Sequence, residues 1–294
     1  MNPIRCVIRG SGTPLLLVHG LGSNPRSWEP IAERLAAERT VIAVHLPGFG
    51  SAPPLPGPTS PATLADALAG FIHEQGLRGV EIVGHSLGGL IALEMARRGG
   101  LVGRTVALAP GGFWRGWQRH ATFMALSTSV RALRLMREGL PLLSSARATR
   151  AMLVAMNSRR GSTLPPGLVA SELRSYALSA AFDELVWRGV YEYVQQGASA
   201  GSIAQPVVIG WGRQDRVCYP SEAKVAQQLF PDARIHWFGD CGHYVHWDQP
   251  AQAASLILHG SAPAVGVDAP VRIANPSRPP VEPQREDLAG QLAV

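Results

Sequence analysis

The sequence predicts an α/β protein: a mostly parallel sheet covered by helices on both faces, with a helical cap inserted late in the chain. Three observations carry this. Short apolar runs alternate with helical patterns from the start of the chain. The runs are continuously apolar, as strands buried on both faces require. Between Phe113 and about Ser202 the strands stop and only helical patterns continue.

Met1-Asn2-Pro3-Ile4-Arg5 leads directly into a strand-like run. Pro14 to Val18, Thr40 to Val44, Gly79 to Val83, Arg104 to Leu108, Pro206 to Ile209 and Arg234 to Phe238 then read as buried strands. Ser27 to Ala37, Pro61 to Gln75, Leu87 to Arg98, Ser221 to Phe230 and Pro250 to Leu258 read as the helices between them. Inside the insertion, helices are expected over Arg119 to Arg137, Ala146 to Asn157, Pro166 to Leu178 and Phe182 to Gln196. Residues 1–112 and 203–260 thus form the core and 113–202 the cap, placed to roof whatever site lies at the strand ends. Residues 261–294 contain six prolines and few large apolar side chains, too few to offset chain entropy, so a disordered tail is expected.

Composition narrows the function. With 294 residues and 46% hydrophobic content the chain can bury a sizeable core. No apolar run approaches the roughly 20 residues of a bilayer span, and the N-terminus lacks the charged and apolar regions of a secretion signal. A cytoplasmic location without a transmembrane segment is expected. The net charge is +6, with Lys224 the only lysine. The arginines are scattered, except that Arg131, Arg134 and Arg137 share one helical face, and no recognition motif accompanies them. Nucleic acid is therefore not an expected partner. Cys6, Cys218 and Cys241 make an odd count without C-x-x-C spacing, so neither a disulfide framework nor a zinc site is indicated. A bridge between Cys218 and Cys241, on loops the fold brings close, stays open. No H-E-x-x-H, Walker lysine or dinucleotide fingerprint occurs, and neither metal nor other cofactor is expected.

The chemistry-bearing motif is Gly84-His85-Ser86-Leu87-Gly88, directly after one strand and ahead of a helix. A serine in so short a connection needs a very tight turn, which flanking glycines permit. Such a turn lifts the Ser86 hydroxyl clear of the sheet and aims the Leu87 N–H into the same space, supplying nucleophile and oxyanion donor together.

Around it, the order of His19-Gly20-Leu21-Gly22, Leu46-Pro47-Gly48-Phe49-Gly50, the Ser86 elbow, the helical insertion, Asp215 after a strand and His243 after the last strand resembles the α/β-hydrolase superfamily over Ile4 to Leu258. The resemblance implies the α/β-hydrolase fold and a serine hydrolase with Ser86 as nucleophile, Asp215 as orienting acid and His243 as base. It also implies that the Leu21 N–H joins that of Leu87 in the oxyanion hole. His246 competes with His243, and Asp240 with Asp215. His85 and His19 are expected in support roles. His45 stands where the family often has an aspartate, which leaves one structural hydrogen bond open. Gly20, Phe113, Trp114 and Trp117 are candidate substrate contacts, although the three aromatics fit ordinary cap core equally well.

The expected reaction is hydrolysis of an ester or related acyl bond of a small, apolar substrate through an acyl-enzyme. Carbon–carbon bond hydrolysis of ring-cleavage products, acyl transfer, thioester or lactone hydrolysis and cofactor-free haloperoxidase chemistry use similar machinery. A ligand receptor built on a retained hydrolase site is the reading from another class. Neither the substrate nor the oligomeric state is legible.

Overall fold

The computed structural model describes residues 4–50 and 52–260; the expectation of a disordered Pro-rich tail falls outside them. Seven strands form one sheet: β1 Arg5–Arg9, β2 Pro14–Val18, β3 Thr40–His45, β4 Val80–His85, β5 Val102–Leu108, β6 Val207–Gly212 and β7 Arg234–Phe238. Their spatial order is β1-β3-β2-β4-β5-β6-β7. Only β1 runs antiparallel, pairing Arg5 with His45 and Arg9 with Val41. The order places β4 at the centre, so its C-terminal end opens where the chain switches from building leftward to building rightward, the crevice that open parallel sheets use for ligands.

Helices α1 (Glu29–Ala36), α2 (Pro61–Glu74) and α3 (Leu87–Arg98) belong to the first half, and α9 (Ala223–Leu229), α10 (Val245–Asp248) and α11 (Pro250–His259) to the last part. The sheet is covered on both faces. Leu16, Ile42 and Ile82 pack with Leu68 of α2, Ile91 of α3 and Ala226 of α9. Their sequence neighbours Leu15, Leu17 and Val83 pack with Ile31 and Leu35 of α1 and Ile257 of α11. Alternation along each strand, with both sets apolar, is what makes the runs continuous in sequence.

Between β5 and β6 lie α4 (Trp117–Leu135), α5 (Leu140–Ser145), α6 (Arg147–Leu153), α7 (Pro166–Leu178) and α8 (Phe182–Trp187). Leu133, Leu140, Leu168 and Leu173 form a third core with Tyr244 and Trp247, which come from the segment after β7. The inserted helices and the segment after β7 therefore share one apolar cluster. The expected helix from Phe182 to Gln196 is shorter than its periodicity suggests: it ends at Trp187, passes through one wide turn over Arg188–Glu192 and continues extended. Gly189 and β-branched Val190 weaken helix propensity there. The helix expected to reach Asn157 stops at Leu153 and passes into turns, in which the N–H groups of Asn157 and Ser158 share the Val154 carbonyl at 2.8 Å and the Asn157 carbonyl accepts the Tyr244 N–H at 2.9 Å. Helices α5 and α10, each of six residues or fewer, carry too little periodicity to be read from sequence. Among the described residues no helix is long and apolar enough to cross a membrane. All three cysteines are unbridged, and Cys218 and Cys241 are buried thiols.

Candidate active site

Strand β4 ends at His85 and α3 begins at Leu87, so Ser86 alone makes the turn. It holds φ 54° and ψ −114°, a conformation that costs a non-glycine residue about 1–3 kcal/mol. The surroundings enforce it. The Ser86 N–H donates to the Leu108 carbonyl at 2.9 Å, and its own carbonyl accepts from Leu90 and Gly111 at 3.0 and 3.2 Å. A Cβ at Gly84 would stand 2.0 Å from the Gly88 carbonyl oxygen, and one at Gly88 2.2 Å from that of Val18. Both glycines are thus fixed by close backbone approach.

Asp215 and His243 come from the loops after β6 and β7, adjacent strands whose ends lie side by side. Their Nδ1–Oδ2 distance is 2.9 Å, and both side chains are buried. A carboxylate can only accept, so His243 Nδ1 donates to it, and in the neutral ring the lone pair is then on Nε2. The other Asp215 oxygen accepts the N–H groups of Val217 at 2.8 Å and Cys218 at 3.0 Å, which fixes the carboxylate before any ligand arrives. Ser86 and His243 line the same cavity, together with Leu21 and Leu87.

The competing residues lie elsewhere. His246 is fully buried, stacked on Trp28 with ring centroids 4.4 Å apart, and burial lowers its pKa to about 3. Asp240, at positive φ in the turn after β7, is not part of the cavity wall. His85 acts on the loop bearing His243: its Nε2 donates to the His243 carbonyl at 3.1 Å, and burial holds the ring well below its usual pKa and therefore neutral. His19 bridges two turns. Its Nε2 accepts the Leu46 N–H at 3.1 Å, so Nδ1 carries the proton and donates to the Gly20 carbonyl at 2.8 Å. Burial takes its pKa to about 3, which keeps that tautomer at neutral pH. This bond ties Gly20-Leu21 to the turn at Leu46, where the residue change at His45 had left a bond open.

The candidate substrate contacts separate, and Trp117 joins neither the cavity wall nor the core, being exposed on the outer face of α4. Trp114 lines the cavity. Gly20 lies beneath Ser86: a Cβ there would meet Ser86 Cβ at 3.2 Å. Phe113 does not reach the cavity and packs in the core against Trp211 and Phe230, at centroid distances of 6.2 and 6.4 Å. At the start of the insertion the chain turns its larger aromatic outward and its smaller one inward, and adjacency in sequence conceals this.

Two buried carboxylates, neither singled out from sequence, join cap to site. Asp248 accepts from Ser158 Oγ at 2.5 Å, from the N–H groups of Arg159 and Arg160, and from the Gly242 N–H at 2.7 Å, beside His243. Glu172, on α7, accepts from Tyr244 Oη at 2.5 Å and from Asn24 Nδ2 at 3.3 Å. Burial pushes its carboxyl up to about 7. On the same helix, Ser175 donates to the Ser23 carbonyl at 3.0 Å. Helix α7 thereby supports the loop following Leu21 and the loop bearing His243. The available signal was Glu172 itself, a carboxyl on the apolar stripe of Leu168, Val169 and Leu173.

The cavity measures about 240 Å³. Its wall is mainly aliphatic, with Leu90, Leu126, Leu133, Leu153 and Val190 among its members; Ser129, Asn157 and Tyr176 add neutral polar groups, and no Lys, Arg, Asp or Glu takes part. Among the described residues no group of His, Cys, Asp and Glu side chains is arranged to hold a metal ion.

Fold and site together define a class. A model described as the alpha/beta hydrolase family matches residues 15–256, and the chain belongs to that family. An uncharacterized protein of Mycobacterium tuberculosis is 30% identical over 258 residues, covering 85% of this chain and 75% of that one. The 2-hydroxymuconate semialdehyde hydrolase of Pseudomonas putida is 27% identical over 261 residues, covering 85% and 87%. Among solved structures, a thermophilic esterase from Thermogutta terrifontis superposes with a TM-score of 0.68 at 21% identity, covering 86% of this chain and 91% of that one. The Pseudomonas putida relative is named as a hydrolase, and the protein is an enzyme of the α/β-hydrolase family.

Proposed function

We propose that the protein is a serine hydrolase of an uncharged, largely apolar ester, with Ser86 as nucleophile, His243 as general base and Asp215 as the acid that orients it. The observation carrying this is the His243–Asp215 contact of 2.9 Å behind a cavity that also exposes Ser86 on its strained turn. In this reading Ser86 Oγ attacks the ester carbonyl carbon while its proton passes to His243 Nε2. The carbonyl electrons move to oxygen, and the N–H groups of Leu21 and Leu87 donate hydrogen bonds to the oxyanion so formed. Collapse expels the alkoxide, which takes the proton back from the imidazolium. Water, activated by the same His243, then releases the acid and restores Ser86.

The neutral wall favours this substrate class over anionic ring-cleavage products. The Pseudomonas putida relative is named for a muconate semialdehyde, whose carboxylate would need a charge partner that this cavity does not offer. A cavity of about 240 Å³, shared between the reacting ester group and its acyl chain, suits a chain of medium length. The test is fluorophosphonate labelling followed by turnover of p-nitrophenyl esters of graded length. Labelling that vanishes in Ser86→Ala, with turnover peaking at medium chains, is the expected result. A folded wild type that resists the probe overturns the assignment, and turnover peaking at acetate overturns the size of the substrate. Preference for a dienoic carboxylate over any ester would replace the reading with carbon–carbon bond hydrolysis.

A further inference from the structure

We propose that the outer face of α4 is a docking surface for membranes containing anionic lipid. Residues Trp117, Met124, Arg131 and Leu135 are spaced seven, seven and four apart, which sets them along one stripe of the helix over about 27 Å. All four are exposed, with Trp117 at 69%, Met124 at 61% and Leu135 at 90%. The opposite stripe, Thr122, Leu126, Val130 and Leu133, is buried. The helix thus carries Trp117, Met124 and Leu135 on its outer face with Thr128 and Arg131 between them, and among the described residues this stripe stays exposed, Trp117 meeting the ring of Tyr219 at a centroid distance of 5.9 Å. Nineteen residues of α4 include no carboxylate.

Charge selects the occupant. Residues 113–202 hold eleven arginines and five carboxylates, a net of +6, which equals the net charge of the whole chain and leaves the remainder neutral. Four of the five cap carboxylates are already matched: Glu138 by Arg137, Asp183 by Arg134, and Glu184 and Glu192 by Arg188. The fifth, Glu172, is buried. Arg115, Arg131 and Arg147 are exposed and form no ion pair among the described residues. Exposed Trp, Met and Leu beside surplus arginine is the pattern that places a helix in the plane of a lipid interface, where apolar side chains enter the acyl boundary and cations meet headgroup phosphates. A protein partner of matching apolar shape would not account for the cap's uncompensated charge.

The geometry also relates this face to the cavity. Leu126, Ser129 and Leu133 of α4 form part of the cavity wall, to which Met152, 72% exposed, also belongs. One helix therefore separates the cavity from the proposed interface, so lipid docking would bring poorly soluble substrate up to this wall. The inference stands apart from the hydrolytic reading, since docking does not require Ser86.

The experiment is flotation of the full chain with extruded vesicles of phosphatidylcholine alone or mixed with phosphatidylglycerol. The expected result is flotation only with the anionic vesicles, weakened by salt and reduced about tenfold or more in Trp117→Ser/Met124→Ser/Leu135→Ser. Ser86→Ala should float like wild type, and the triple variant should turn over a short soluble ester normally, which shows that it is folded. Absence of flotation, or equal flotation of the folded triple variant, overturns the proposal. So does a wild-type dimer that the triple variant dissolves, because a second copy would then be what covers the face.

Discussion

Ser86 is held by three backbone hydrogen bonds in a conformation that serine rarely adopts, and single-residue changes around it should separate chemistry from folding. Asp215→Asn keeps the shape but lets the side-chain amide face His243, disturbing the tautomer; kcat should fall roughly 10⁴-fold with little change in KM. Equal kcat in the two proteins would remove Asp215 from the mechanism. Gly88→Ala drives a methyl group toward the Val18 carbonyl, so the elbow must shift or the fold must yield. A melting temperature and labelling rate both equal to wild type would contradict the close approach. Glu172 gives a pH prediction. Its carboxyl is raised to about 7 from an ordinary 4.5 by burial, so the folded state binds the proton more tightly than the unfolded state. The associated stability is complete below about 4.5 and is lost as pH rises through 7. The full loss is about 3 kcal/mol. Glu222, raised to about 8, acts in the same sense, while neutral buried His19, His85 and His246 act in the opposite one. The informative quantity is therefore the difference between wild type and Glu172→Gln. Wild type should lose ground to the variant as pH rises from 4.5 past 7, and a pH-independent difference would show that Glu172 does not titrate there.

At the scale of elements, α4 and α7 divide the work of the cap. Helix α4 presents Leu126 and Leu133 to the cavity, and α7 presents polar groups to the loops around Ser86. Leu133→Trp should shorten the preferred acyl chain by several carbons while leaving short esters and labelling intact; an unchanged length profile would mean that the chain lies elsewhere. Asp248 is the corresponding anchor on the core side. Replacing it with Ala leaves buried donors from Ser158, Arg159 and Gly242 unpaired, at a cost of about 3 kcal/mol. Calorimetry should register a fall of about 6–12 °C for a domain of this size. A shift below 2 °C would show that water replaces the carboxylate without loss.

Across the whole molecule, the net charge of +6 falls on residues 113–202, while residues 1–112 and 203–260 together carry only +1 and residues 261–294 carry −1. The proposed site lies between cap and core, so its loops answer to both: Tyr244 and Trp247 follow His243 in sequence yet pack in the cap's apolar cluster. Salt should separate the two proposed activities, since flotation depends on screened surface charge and turnover of a soluble ester in a neutral cavity does not. Parallel loss of both with salt would point instead to a cap that loosens as a unit.

Continuous apolar runs marked the parallel strands, the longer periodic segments marked most of the helices that cover them, and the glycine-flanked serine turn marked the family, since close backbone approach permits glycine alone at Gly84 and Gly88. The proposed triad of Ser86, Asp215 and His243 was picked out in the same way, because each residue sits at or shortly after a strand end, where local pattern fixes position. Only tertiary structure decided how the cap meets the core. Phe113 turned away from the cavity, Glu172 reached Tyr244 across 72 residues, Asp248 gathered the Ser158 turn, and α4 left an apolar stripe uncovered. Periodicity states which side of a helix is apolar. Which side finds a partner, and which carboxylate finds enough donors to stay buried, depends on contacts between segments far apart in the chain.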